Sequence, residues 1–153
     1  MELFIGALLL ATLLCSLVAG FLFSFAVVVM PGIATLNDRE FLRAFQAMDR
    51  VIQNRQVIFL AIWVGSIIAL TTATLLGIGR LDGVDDCLLI LGALIYMFGV
   101  QLPTIAINVP LNNRIQCLDI RAMAESEHKV ARDIFESRWY RWNCIRGALS
   151  RLG

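Results

Sequence analysis

An all-α polytopic membrane bundle is the fold class the sequence predicts: three transmembrane helices, a cytoplasmic amphipathic helix and a C-terminal polar helix, in one integral membrane domain over residues 1–153. Three observations carry this. Hydrophobic residues make up 59% of the chain and charged residues 16%, against about 45 to 50% and about 25% in soluble domains. The apolar excess is gathered into three charge-free runs, Leu3 to Asn37, Gln56 to Gly79 and Cys87 to Asn113. Each is long enough to cross a bilayer, because about 20 residues at about 1.5 Å rise span a hydrocarbon core of about 30 Å. The third observation is charge segregation. Arg39, Arg43, Arg50 and Arg55 lie between the first two runs, and eight further Lys and Arg residues follow the third. The opposite side carries Arg80 alone, with Glu2, Asp82, Asp85 and Asp86. The positive-inside bias then puts the N-terminus outside and both the first loop and the C-terminus in the cytoplasm.

The first span is expected over residues 4–30, ended by Pro31 and Gly32. It begins with an acid and stays apolar for about thirty residues, unlike the basic start and short apolar core of a cleaved leader. Ser16, Gly20 and Ser24 recur every four residues along it, a spacing that lets a second backbone approach closely. The second span, residues 57–79, repeats this with Ala61, Gly65, Ala69, Ala73 and Gly77 in one line. Gly20, Gly65, Ala69 and Gly77 are therefore the expected helix-packing positions.

Between these spans, Asn37-Asp38-Arg39-Glu40 reads as a helix cap with an acid at the third helical position. The helix that follows places Phe41, Phe45, Met48 and Ile52 on one stripe and Arg39, Arg43 and Arg50 on another. Such a helix lies in the headgroup region or closes the cytoplasmic end of the bundle.

The third span, residues 87–109, carries Tyr96, a kink expected at Pro103 and a second interruption at Pro110. Gln101, Thr104 and Asn108 share one face, continued by Asn112 and Asn113. Amides at membrane depth need partners inside the protein. They either bond carbonyls freed by the prolines or contact a ligand. The last segment, residues 118–152, is polar and helix-compatible, with Trp139, Asn143 and Arg146 at i, i+4 and i+7.

Other chemistry finds little support. His128 is the only histidine, and with Glu125 it forms one Glu-x-x-His where a di-iron bundle needs two, so neither metal nor other cofactor is expected. Cys15, Cys87, Cys117 and Cys144 form no Cys-x-x-Cys pair and no disulfide framework is expected. There is no phosphate loop, dinucleotide fingerprint, serine nucleophile motif or nucleic-acid-binding motif.

Phe23-Ser24-Phe25 through Val29-Met30-Pro31-Gly32, then Asn108-Val109-Pro110-Leu111-Asn112-Asn113, then Trp139 with Trp142-Asn143 and Arg146, stand in an order that resembles the anthrone oxygenase-like family of small four-helix membrane proteins. That resemblance implies conversion of an anthrone to an anthraquinone with molecular oxygen, without a recognised metal or flavin. It places Asn108 and Asn113 toward the ligand, Trp142 against its rings, and Asn143 and Arg146 on its oxygens; Gln101 and Trp139 complete the expected ligand contacts. His128 is a minor candidate base that the family pattern does not single out. In the family the Trp-Asn and Arg residues open a fourth membrane helix, whereas seven residues follow Arg146 here. The expectation is therefore a noncatalytic structural or assembly subunit, completed by another membrane subunit or a second copy in the bilayer. An anthrone oxygenase-like enzyme and a small-molecule binding or transporter component are the alternatives.

Overall fold

The computed structural model describes residues 1–54 and 56–152; Arg55, one of the basic loop residues, lies outside the described residues. Five helices make up the described chain: α1 (Glu2–Ala34), α2 (Asp38–Gln53), α3 (Val57–Gly77), α4 (Gly83–Gln116) and α5 (Glu125–Leu149). Helices α1, α3 and α4 are the three long and apolar enough to cross a membrane, and the protein is a helical membrane protein.

The first and third spans are longer than the sequence suggests, because the prolines do not end their helices, while the second ends at Gly77, two residues short of its expected end. Pro31 lies inside α1, preceded by a wide π-helical turn at Phe25–Val29. Pro103 falls between two such turns of α4, Ile95–Gln101 and Thr104–Asn108, and Pro110 follows the second. Proline removes one ladder hydrogen bond and crowds the preceding turn, and a wide turn accommodates both effects without breaking the rod.

Helices α1 and α3 pack along their length. On α3 the buried face runs Ser66, Ala69, Leu70, Ala73 and Gly77. A Cβ on Gly65 would lie 3.2 Å from Leu14, and one on Gly77 only 2.5 Å from Leu89 and 2.8 Å from Phe4, so both glycines sit at close helix approaches. Gly20 does not: it is exposed, with nothing within 4 Å of an added Cβ, and Ser16 and Ser24 are exposed as well. The buried line of α1 is instead Phe4, Ala11, Cys15, Val18 and Leu22. Large residues on α1 thus fill the groove that small residues leave on α3, and the small line of α1 faces outward.

The two ends of the bundle are closed differently. At the acidic end Gly79, with φ 72°, turns the chain between α3 and α4, and its N–H donates to Asp86 Oδ2 at 2.8 Å. At the basic end α2 lies across the bundle, capped by Asn37 Oδ1, which accepts from Glu40 N–H at 2.9 Å. Its Phe41, Leu42 and Phe45 join Met30, Leu111, Ile115, Phe135 and Trp139 in one apolar cluster. Arg132 of α5 donates to the carbonyls of Ala34 and Leu36, both at 2.8 Å, and to Asp38 and Glu136, while its guanidinium stacks 4.4 Å from the Phe41 ring centroid. A cation is thereby fixed on the carbonyl end of α1, where the helix dipole favours it.

The last helix departs most from expectation. Its first half carries the exposed charges but packs on α2, burying His128 and Phe135; its second half inserts beside α1 and α4, burying Trp139, Asn143, Arg146 and Gly147. Leu149 meets Gly99, where an added Cβ would lie 2.7 Å from one Leu149 methyl and 3.2 Å from its Cβ. Helix α5 therefore takes the fourth place in the bundle without a continuous apolar run. Gly99→Leu is expected to cost about 1–3 kcal/mol by overpacking this contact, whereas Gly20→Leu leaves stability unchanged; thermal unfolding of both variants in detergent micelles checks the contrast.

Candidate functional site

Where α4 widens, its polar face borders a cavity of about 370 Å³ enclosed by all five helices. That volume falls in the lower part of the about 300–1,000 Å³ range of small-molecule sites. The walls are mostly aromatic and aliphatic: Phe21 and Phe25 of α1, Phe45 of α2, Phe59 and Trp63 of α3, and Trp139 of α5. Phe59 and Trp63 stack at 5.3 Å, and Phe25 and Phe45 lie 5.7 and 5.3 Å from Trp139.

A few polar groups converge on this apolar chamber, and each is fixed by a partner. Trp63 Nε1 donates to Gln101 Oε1 at 2.8 Å, and because indole only donates, the Gln101 amide is oriented with Nε2 free. Arg146 donates through one terminal nitrogen to Thr104 Oγ1 at 2.8 Å and through the other to Asn143 Oδ1 at 3.0 Å, leaving Nε unpartnered. Asn108 reaches the Trp139 carbonyl through Nδ2 at 3.5 Å, leaving Oδ1 free. Two donors and one acceptor, on side chains 2 to 4% exposed, are thus buried around one cavity without partners. Most buried polar groups in folded proteins are paired, so such orphans mark a ligand position or a water site.

Arg146 stands out further. Among the described residues no carboxylate lies within 4 Å of it; the ion pairs all belong to Arg132. A buried cation bonded only to neutral groups costs several kcal/mol, a cost that an anion brought into the cavity offsets.

At the basic end of the chamber lies Asp49, the one acid among the described residues on its wall. Its Oδ1 accepts from Asn112 Nδ2 at 2.8 Å, and its Oδ2 from Gln53 and Gln116 at 2.7 and 2.9 Å. Asn112 in turn accepts from Trp139 Nε1 at 2.7 Å, so one hydrogen-bonded chain joins α5, α4 and α2.

The structure brings Gln101, Asn108, Trp139 and Arg146 to one chamber. It places the other sequence candidates elsewhere. Asn143 is fully buried behind the wall, where Nδ2 donates to the Leu22 carbonyl at 3.0 Å and Oδ1 holds Arg146. Asn113 is exposed and accepts from Gln53; its neighbour Asn112 turns inward instead. Trp142 is half-buried off the cavity wall. His128 is buried outside the chamber, with Nε2 donating to Ile120 O at 2.9 Å. The residues that sequence reasoning missed are Trp63 and Asp49. Asp49 had a signal: it falls on the stripe of Phe41, Phe45 and Ile52, an acid on an otherwise apolar face.

A membrane-embedded helical bundle around a largely apolar, asymmetrically polar small-molecule chamber is the class of protein this fold and site define. The family model for anthrone oxygenase matches residues 41–153, which carry α2 through α5 and most of the chamber, and the chain belongs to that family. No curated protein and no solved structure matches it.

Burial pushes the Asp49 carboxyl above its usual range, with the amides of Gln116, Asn112 and Gln53 acting against the shift. The folded chain then holds this proton more tightly than the unfolded one. Its contribution to stability is therefore present at low pH and is lost as pH rises from about 3.9 through the raised value. Asp49→Asn, which keeps the shape, is expected to flatten that slope in denaturation curves recorded from about pH 4 to about 8.

Proposed function

We propose that this protein oxidises a phenolic tricyclic aromatic of the anthrone type with molecular oxygen inside the five-helix chamber. The observation that carries this reading is Arg146, a buried guanidinium without a counter-charge among the described residues at the wall of an aromatic cavity. Family membership supports the reaction class. The noncatalytic subunit expected from the sequence rested on a missing fourth membrane helix; α5 is not among the three helices apolar enough to span, but it packs against α1 and α4 and brings Trp139 and Arg146 to the chamber, which supports the enzyme reading.

The chemistry follows from charge. Loss of a proton from the ring carbon opposite the carbonyl gives an enolate whose negative charge rests on the ring oxygen. Arg146 Nε and Gln101 Nε2 are the free donors that hold this oxygen, and Asn108 Oδ1 accepts from a phenolic hydroxyl. Asp49 keeps one lone pair on Oδ1 and serves as proton acceptor; its raised proton affinity suits a group that takes a proton from a weak carbon acid. The enolate passes one electron to dioxygen, and the radical and superoxide combine in a new carbon–oxygen bond. Return of the proton to the terminal oxygen gives a hydroperoxide. Loss of water then leaves the second carbonyl, so one dioxygen is consumed, one water is formed, and a CH₂ becomes C=O. The protein's contribution is orientation and stabilisation of the oxyanion before and during electron transfer.

Purified protein given an anthrone and oxygen should consume oxygen and form anthraquinone faster than buffer; equal rates end this reading. Arg146→Met is expected to lower kcat about 10²- to 10³-fold, as loss of an oxyanion donor does, with a smaller change in KM. Oxygen uptake and quinone absorbance measure both. The basic end, carrying α2 and the start of α5, is proposed to face the cytoplasm. A cysteine at exposed Ser126 should then be labelled by an impermeant reagent only after the membrane is opened.

A further inference from the structure

We infer that the chamber is loaded from the side, through an apolar mouth between α3 and α4 that opens onto the hydrocarbon of the bilayer. The identity of the ligand rests on the proposed function; the route does not. Four side chains line the cavity and are also exposed on the outer surface: Leu60 and Val64 of α3, 42 and 49% exposed, and Ile105 and Val109 of α4, 65 and 43% exposed. All four are aliphatic, and all belong to helices long and apolar enough to span the membrane.

The geometry of the two helices explains the opening. Toward the acidic end they are held together, by Leu89 against Gly77, by Ser66 Oγ and Tyr96 OH at 2.7 Å, and by Trp63 Nε1 on Gln101 Oε1. On α4 the mouth residues Ile105 and Val109 lie one and two turns beyond Gln101 toward the basic end, and on α3 the mouth residues flank Trp63, Leu60 on its basic side and Val64 immediately after it. At the basic end the chamber is floored by α2, tied to α4 through Asp49 with Asn112 and Gln116, and through Gln46 to the Ile115 and Leu118 carbonyls at 3.0 and 3.1 Å. The opposite walls are α1 and α5, joined by Asn143 to the Leu22 carbonyl.

Polarity is arranged to match. The free atoms of Gln101, Asn108 and Arg146 are buried within, and the mouth carries aliphatic side chains alone. A molecule passing it sheds its water first and finds polar partners only inside. The ligand is thus an uncharged, membrane-dissolved planar aromatic bearing ring oxygens, deprotonated after arrival. Any reaction that attaches a sugar or a charged group to the product must come later in the sequence, because such a group does not pass an aliphatic mouth.

The full-length protein in vesicles of mid-chain-brominated phosphatidylcholine, with Trp142 off the chamber wall replaced by Phe in every variant, tests this, because bromine quenches nearby indole and the remaining tryptophans, Trp63 and Trp139, both line the chamber. Quenching is expected in the unaltered protein and is expected to be lost in large part in Val64→Phe/Ile105→Phe, whose rings fill the mouth. Val27→Phe/Val28→Phe, at exposed positions on α1, should leave it unchanged. If the first pair does not fold, Leu60→Phe/Val109→Phe replaces it. Equal quenching with the mouth open and filled overturns the proposal. The plugged variant should also show a raised KM for vesicle-borne anthrone. If no variant oxidises anthrone while the quenching difference persists, the oxygenase reading fails and the lateral mouth stands.

Discussion

A guanidinium buried with no carboxylate beside it among the described residues is the constraint on which the rest of this structure depends. Arg146 is tolerated at that depth because Thr104 and Asn143 accept from its two terminal nitrogens and the Trp139 ring lies 5.8 Å from it. Each of those groups is itself held. Thr104 belongs to a wide turn of α4, Asn143 is anchored to a carbonyl of α1, and Trp139 is fixed by Asn112. Removing water from a charge makes every neighbour's position matter, since the field is strong and no solvent relaxes to compensate. The cavity is therefore a region of fixed dipoles around one positive centre.

The amphipathic α2 gives this arrangement its floor. Its apolar stripe packs on α5 and on the ends of α1 and α4, and Asp49 interrupts that stripe where three amides converge on it. Arg132 holds the adjoining end of α1 to α5. The two buried ionisable groups of the chamber thus lie at different places along α4, one bonded beside Thr104 and the other beside Asn112, eight residues or about 12 Å of helix rise apart. That spacing leaves an acid and a cation within one chamber without pairing them.

Much of the fold was legible because a charge-free run of twenty residues has few physical interpretations. The helix ends were less so: Pro31, Pro103 and Pro110 normally punctuate, and only the wide turns beside them let the rods continue. The seam on α3 was readable as a line of small residues, but the same pattern on α1 faced outward, because spacing does not say which face meets a partner. The insertion of α5 was hidden, since hydropathy averages over a helix whose buried face holds Trp139, Asn143 and Arg146 beside exposed charges. At the site, Gln101, Asn108, Trp139 and Arg146 could be named from residue type and face. Which amide of the neighbouring Asn112 and Asn113 turns inward, and the pairing of Trp63 with Gln101 across 38 residues, depend on tertiary geometry that no local pattern encodes.

The aliphatic rim between α3 and α4 bears on the second reactant as well. Dioxygen is a small apolar gas, and it dissolves more readily in hydrocarbon than in water. On the proposed oxygenase reading, a chamber that opens on acyl chains draws its oxidant from the phase in which that oxidant is concentrated, while the anionic superoxide of the proposed step finds the same rim impassable. The lipid thereby becomes both reservoir and one-way seal.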